Sequence, residues 1–135
     1  MDRAFLDANV LFSAAYREAS GLARLWQIAD IELITSSYAA READRNLSTD
    51  VQRQRLNGLL AKMTIVGEPE TGDSLPPGLT LPEKDVPILA AAKRARATHL
   101  LTGDKTHFGP LFGRTVSGVL IQPPADYLAK RADKS

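Results

Sequence analysis

The stretch "AFLDANVLFSAA", Ala4–Ala15, places a carboxylate where an apolar strand ends. Its first three residues, Ala4–Leu6, form an apolar run typical of a buried strand, and apolar character resumes at Val10. Asp7 and Asn9 interrupt the run two residues apart, on the same side of an extended backbone. Burying a carboxylate is costly unless another group pairs with it. Asp7 therefore either caps a following helix or meets other acids around a cation.

Outward from this stretch, short apolar runs alternate with segments of helical periodicity. The predicted strands are residues 3–7, 31–35, 64–67, 98–102 and 115–122. The predicted helices are residues 22–29, a segment capped by Ser36 or Ser37, residues 50–63, and a helix that starts near Asp85. Strands that alternate with helices predict an α/β fold, in which helices cover both faces of a parallel sheet.

The composition is typical of a single globular domain without disulfides. A chain of 135 residues, 44% hydrophobic and 24% charged, predicts one domain with its own core. We expect this domain over residues 1–128, with a surface loop at residues 67–82 and a charged, disordered tail at residues 129–135. Without cysteine the chain forms no disulfide and no thiolate zinc site.

Hydropathy and net charge indicate where the protein is located and how it could contact nucleic acid. The sequence has no apolar run of about 18 residues and no secretory signal, so we expect a cytoplasmic protein with no membrane contact. The formal net charge is +1, which argues against a strongly basic surface that binds polyanions in general. Contact with nucleic acid would therefore depend on local Arg and Lys side chains or on a metal ion.

Four acidic residues are predicted to meet at one edge of the sheet. Asp7 closes the first strand and Asp104 closes the strand at residues 98–102. Asp85 lies at the start of the helix that leads into that strand, and Glu42 lies in the first two turns of the helix after the second strand. In parallel sheets, ligands bind outside the carboxyl ends of the strands. Topology alone therefore directs these side chains to one place.

Each acid also has a structural interpretation. Asp85 can be a helix cap, Glu42 a solvated residue on a helix surface, and Asp104 an ordinary turn residue. Together, however, four carboxylates at one edge repel one another unless a cation neutralises them. Mg²⁺ suits such a site because it takes oxygen ligands and completes its shell with water and substrate phosphate. With no cysteine and only two histidines, a zinc site is disfavoured.

Three segments resemble the motifs of the PIN-domain nuclease family. "FLDANVLFSA" is similar to the first family motif and "ITSSYAAREADRNL" to the second, whose helix glutamate would be Glu42. "EKDVPILAAAKRARATHLLTGDKTHF" is similar to the third and fourth motifs together, with Asp85 opening a helix and Asp104 following "LLTG". The resemblance covers roughly residues 3–122.

The resemblance implies a three-layer α/β/α sandwich with a central, mostly parallel sheet, and cleavage of RNA that depends on Mg²⁺ or Mn²⁺. It implies that Asp7, Glu42, Asp85 and Asp104 hold the metal, with Asn9 and Thr102 supporting them. Many short members are toxins of VapC type, inhibited by a small antitoxin, so an antitoxin is an expected partner. A homodimer is also expected.

Other residues and other functions stay open at this point. His107 can contact a phosphate or be a solvated loop histidine, and we expect His99 to be structural. Candidates for contact with the RNA backbone are Arg17, Arg41, Arg45, Lys93, Arg94, Lys105 and Arg114. The alternatives to a toxin are a stand-alone nuclease of RNA processing, a phosphoaspartyl phosphatase, which would need a second acid where Asn9 stands, and a catalytically idle binding module.

Overall fold

A computed structural model describes residues 1–67, 79 and 81–133. The strands are β1 (Asp2–Leu6), β2 (Ile31–Ser36), β3 (Thr64–Val66), β4 (His99–Leu101), β5 (Thr115–Val116) and β6 (Val119–Gln122). The α-helices are α1 (Ala8–Tyr16), α2 (Ser37–Asn46), α3 (Asp50–Leu60), α4 (Val86–Arg94) and α5 (Pro124–Asp133). Most of the loop predicted at residues 67–82 lies outside the described residues.

One six-stranded sheet has the order β3-β2-β1-β4-β6-β5, and only the pairing of β5 with β6 is antiparallel. The chain builds outward from β1 to β3 and then crosses back to β4, on the other side of β1. Because crossovers between parallel strands are right-handed, this reversal places helices on both faces. The predicted α/β/α sandwich with a mostly parallel sheet is confirmed.

The centre of the core is β1, whose residues Ala4, Phe5 and Leu6 are fully buried. They pair with β2 on one side and β4 on the other, with Leu6 opposite Leu101. A strand buried on both faces reads as a continuous apolar run, which is why this segment was recognisable. The polar residues that follow it therefore sit directly beyond the buried centre of the sheet.

Two predicted elements differ in detail. Residues 22–29, predicted as an α-helix, form a 3₁₀-helix at Gly21–Gln27. The apolar spacing identifies the buried face correctly, since Leu25 is buried, but two turns do not distinguish three residues per turn from 3.6. The strand predicted at residues 115–122 is a hairpin, because Ser117 and Gly118 both have positive φ and form the turn.

The C-terminal segment also differs from the expected disordered tail. Helix α5 continues to Asp133, so residues 129–133 are helical, while residues 134–135 lie outside the described residues. The helix is held by Tyr127 and Leu128, which are buried in the core. No helix in the described part of the chain combines the length and the apolar character that crossing a membrane requires.

Candidate active site

The site begins where the strand order reverses, between β1 and β4. The register that pairs Leu6 with Leu101 brings the next residues, Asp7 and Thr102, side by side. The Asp7 backbone N–H donates to the Leu101 carbonyl at 3.1 Å, and the Thr102 hydroxyl donates to Asp7 Oδ2 at 2.8 Å. Ligand crevices of open α/β sheets lie at such reversal points.

Asn9 ties the two strand ends together. Its side-chain Nδ2 donates to Asp7 Oδ2 at 3.1 Å and to Thr102 Oγ1 at 3.2 Å, and its Oδ1 accepts from the Gly103 N–H at 2.8 Å. The Asp104 N–H in turn donates to Thr102 Oγ1 at 3.2 Å. Asn9 and Thr102 therefore hold the backbone and side chains from which the acids project.

Asp7 both caps helix α1 and lines the site. Its Oδ1 accepts from the Ala8 N–H at 2.7 Å at the start of α1. The side chain is buried and all its hydrogen-bond donors are neutral. Burial raises the pKa of Asp7 to about 6, the hydrogen bonds from Thr102 and Ala8 oppose this rise, and the charges of Asp85 and Asp104 add to it. The two interpretations of Asp7 are therefore compatible.

Asp104 is held in a tight turn after β4. Its Oδ1 accepts from the backbone N–H groups of Thr106 at 3.1 Å and His107 at 3.0 Å, which is a common aspartate turn. Its Oδ2 lies 3.0 Å from the Nδ1 of His107. Phe108, fully buried, anchors the turn in the core and fixes the direction in which the residue before it points.

His107 belongs to the site, contrary to the interpretation of it as a solvated loop residue. Its Nδ1 lies 2.8 Å from Asp85 Oδ2 as well as close to Asp104, and its side chain is 26% exposed. Asp85 precedes α4 at the cap position, but its side chain makes no capping hydrogen bond to the described backbone. Asp85 is buried and faces the acids of the strand ends. The cap interpretation of Asp85 is therefore wrong.

All four predicted acids line one cavity of about 400 Å³, which we call the acid cavity. Its lining residues are Asp7, Ala8, Asn9, Phe12, Glu42, Asn46, Asp85 and Asp104. Glu42 reaches it from the middle of α2, half-buried, and hydrogen-bonds the hydroxyl of Tyr38. Burial raises the pKa of Tyr38, and the charge of Glu42 raises it further. Among the described residues, no Lys or Arg lines this cavity.

The donor set fits a divalent cation. Asp85, Asp104 and His107 offer three ligand atoms that lie within 4.8 Å of one another. Carboxylate oxygens are the ligands that Mg²⁺ and Mn²⁺ prefer, and an imidazole is acceptable to Mn²⁺. Asp7 lines the same cavity, is buried, and accepts its hydrogen bonds from neutral donors. A cation would supply the positive charge that these donors lack.

The cationic residues proposed from the sequence are dispersed. Lys93 and Arg94 end α4, about 12 Å along the helix axis from Asp85. Arg41 and Arg45 line a separate cavity between α2 and α3. Arg17 lines a third cavity, which shares Phe12 with the acid cavity. Of these five, Arg17 is therefore the one that lines a cavity sharing a residue with the acid cavity.

Comparison with known proteins supports the architecture. No protein-family model matches the chain, and no curated protein matches it in sequence. Among solved structures, the chain is similar to a chain of VapBC2 from Rickettsia felis, in a complex bound to a DNA fragment from their promoter. The TM-score is 0.67 at 14% sequence identity, over 90% of this chain and 98% of that chain. At this identity the likeness is one of fold.

Proposed function

We propose that this chain is a metal-dependent ribonuclease of PIN type, which hydrolyses phosphodiester bonds in RNA. The observation that carries the proposal is the acid cavity, since four carboxylates that are far apart in sequence line one space without a described Lys or Arg. Such an arrangement is costly in a folded protein unless a ligand offsets the charge. The sequence motifs and the shared fold support the nuclease assignment.

Asp7, Asp85 and Asp104 would hold the metal, with Glu42 contributing directly or through water and His107 as a further candidate ligand. When bound, Mg²⁺ or Mn²⁺ supplies positive charge for the scissile phosphate and lowers the pKa of a water molecule. Asn9 and Thr102 orient Asp7 through their hydrogen bonds to its Oδ2.

The attacking group is water in this proposal. The described lining of the cavity contains no Ser, Thr, Lys or His that could act as a nucleophile there. Asp7 is a poor nucleophile, because it is buried and both of its oxygens accept hydrogen bonds. These contacts disfavour the phosphoaspartyl alternative, which already lacks the acid that it needs at Asn9.

End-group analysis of a cleaved oligoribonucleotide tests the proposal. Attack by water forms no cyclic phosphate, and with the 3′-oxygen as the leaving group, as the family resemblance implies, it leaves a 5′-phosphate and a 3′-hydroxyl. EDTA should stop the reaction, and Mn²⁺ should restore it. Asp126→Asn, an exposed acid on α5, is the matched control and should cleave like the wild type. Cyclic 2′,3′-phosphate ends made at full rate in EDTA would overturn the proposal and point to His107 as a base.

We also propose that the physiological partner is a small antitoxin protein and that the chain acts as a toxin in the cytoplasm. The support is the sequence resemblance together with the fold shared with a chain of a VapBC2 complex. Expression in a bacterial host should then arrest growth, while expression of Asp104→Asn at the same level should not. Equal growth of both strains, with RNA cleavage intact in vitro, would favour the RNA-processing alternative.

A further inference from the structure

The cavity lined by Arg17 has a volume of about 510 Å³ and shares Phe12 with the acid cavity. It lies between α1, the 3₁₀-helix at Gly21–Gln27 and α5, and we call it the aromatic groove. Phe12 lines both cavities, so they lie on either side of one side chain. The volume is within the range of ligand pockets, about 300–1,000 Å³.

Two aromatic rings one helical turn apart, inclined to each other, line the groove. The rings of Phe12 and Tyr16 have centroids 5.3 Å apart and planes inclined by 37°. Tyr16 is 53% exposed, the only aromatic side chain among the exposed large hydrophobic residues of the described chain. Leu22 and Leu128 add apolar walls. An exposed ring of this kind provides a face on which a nucleobase can stack.

The rim of the groove is cationic. Arg17 and Arg24 line it, and both are exposed. Neither forms an ion pair with an acid of the described residues, whereas Arg3, Arg53 and Arg131 each do. Two guanidinium groups beside an aromatic face match the chemistry of a nucleic-acid strand, because phosphates bind arginine and bases stack on rings.

We infer that the aromatic groove binds the nucleotides that flank the bond cut in the acid cavity, with a base on Tyr16 and phosphates on Arg17 and Arg24. The inference rests on the proposed function. The strand must be single there, since bases in a duplex are already stacked and paired. The charge of the groove fits this placement, because Arg17 and Arg24 attract the phosphate backbone.

The test is binding of a fluorescein-labelled single-stranded oligoribonucleotide, followed by anisotropy in EDTA so that no strand is cut. Tyr16→Leu should weaken binding about tenfold, and Tyr16→Phe should restore it, because the ring alone supports stacking. Arg17→Gln/Arg24→Gln should make the slope of log K against log salt shallower by about 1.4, at about 0.7 per phosphate contact. Lys62→Gln, which removes an exposed charge after α3, should retain the wild-type affinity and slope.

Two results would overturn the inference. In the first, Tyr16→Leu and the double arginine variant are folded and bind RNA with the same affinity as Lys62→Gln. The groove would then accommodate a different partner, such as a protein. In the second, Tyr16→Phe fails to restore what Tyr16→Leu loses. If wild-type protein still cleaves RNA in either case, the proposed function stands and only the groove assignment fails. Loss of the proposed function would appear separately, as absence of cleavage by wild-type protein with Mn²⁺.

Discussion

Charged side chains at the two ends of the parallel strands differ in their partners. At the amino end, Asp2 accepts a hydrogen bond from the Tyr127 hydroxyl at 2.7 Å and lies 3.5 Å from Arg131. Arg3 pairs with Glu32 at 2.5 Å and donates to two carbonyls. At the carboxyl end, Asp7 accepts hydrogen bonds from neutral donors alone. The acids of the amino end therefore pair with arginine side chains, whereas Asp7 at the carboxyl end has no cationic partner among its hydrogen-bond donors.

The pKa values follow this contrast. The hydrogen bond from Tyr127 lowers the pKa of Asp2, with His99 and Arg131 assisting, so the folded protein favours the ionised form. Burial raises the pKa of Asp7 to about 6, so the folded protein resists ionisation there. Folding alone therefore accounts for the charges of the amino end. At the carboxyl end, four carboxylates line one cavity in which no described Lys or Arg takes part, an arrangement typical of a functional site.

The largest expected effect separates the two ends by activity. Asp104→Asn should lower kcat/KM for RNA by about 10²–10³-fold, because it removes a charge that would hold the metal. Asp2→Asn should leave kcat/KM within threefold of wild type, since Asp2 lies at the other end of β1. The measurement is initial-rate kinetics with Mn²⁺, with circular dichroism to establish that both variants fold. Equal losses in the two variants would contradict the functional difference between the ends.

The next largest effect concerns how the free energy of unfolding depends on pH when EDTA removes metal ions. Asp7 is protonated in both states below pH 3.8 and ionised in both above about pH 6, so its burial destabilises the protein as pH rises between these values. The loss is on the order of 3 kcal/mol, from a pKa that rises from 3.8 to about 6. Asp7→Asn should lack this loss. Urea unfolding of both proteins from pH 4 to pH 7 measures it, and parallel curves would contradict the account.

A smaller effect, on the affinity for Mn²⁺, is expected when the hydrogen bond that orients Asp7 is removed. Thr102→Val removes the hydroxyl that donates to Asp7 Oδ2 at 2.8 Å but keeps the shape of the side chain. Affinity for Mn²⁺ should fall about tenfold, as for other residues that orient metal ligands. Thr35→Val is the control, because Thr35 is equally buried and its hydroxyl bonds the Leu6 carbonyl rather than an acid. If both variants bind Mn²⁺ equally, Thr102 has no special role.

The smallest effect concerns the amino end. Asp2→Asn should cost about 1 kcal/mol of unfolding free energy at pH 7, since it weakens one hydrogen bond and one partly exposed ion pair. Because the pKa of Asp2 is lowered in the folded state, this contribution is present above pH 3.8 and is lost as pH falls through the lowered pKa. Chemical denaturation at pH 7 and at pH 3 should show the difference shrinking on acidification, opposite in sign to Asp7.

The convergence of the acids was predictable because it follows from chain order. Once β1 and β4 are recognised as parallel strands, Asp7 and Asp104 must emerge at the same edge. Helix starts lie at that edge as well, which places Asp85 there and brings Glu42 within reach. None of these placements requires knowledge of side-chain packing.

His107, the hairpin and the aromatic groove were not predictable in the same way. His107 points at Asp85 because Phe108 is buried and Asp104 binds two backbone N–H groups, which fixes the turn. The hairpin of β5 and β6 depends on positive φ at Ser117, which a serine rarely adopts. The groove combines Tyr16 with α5 and the 3₁₀-helix, which no local pattern connects.

The most direct test of the account is a thermal unfolding series with Mn²⁺ and with EDTA. A cation that binds the folded state alone stabilises it by about 2.7 kcal/mol at a hundredfold excess over Kd. We expect a clear rise in Tm for wild type and for Asp2→Asn, and none for Asp7→Asn/Asp104→Asn. An equal Mn²⁺-induced rise in all three proteins would show that the acids at the carboxyl end of the sheet do not hold the cation.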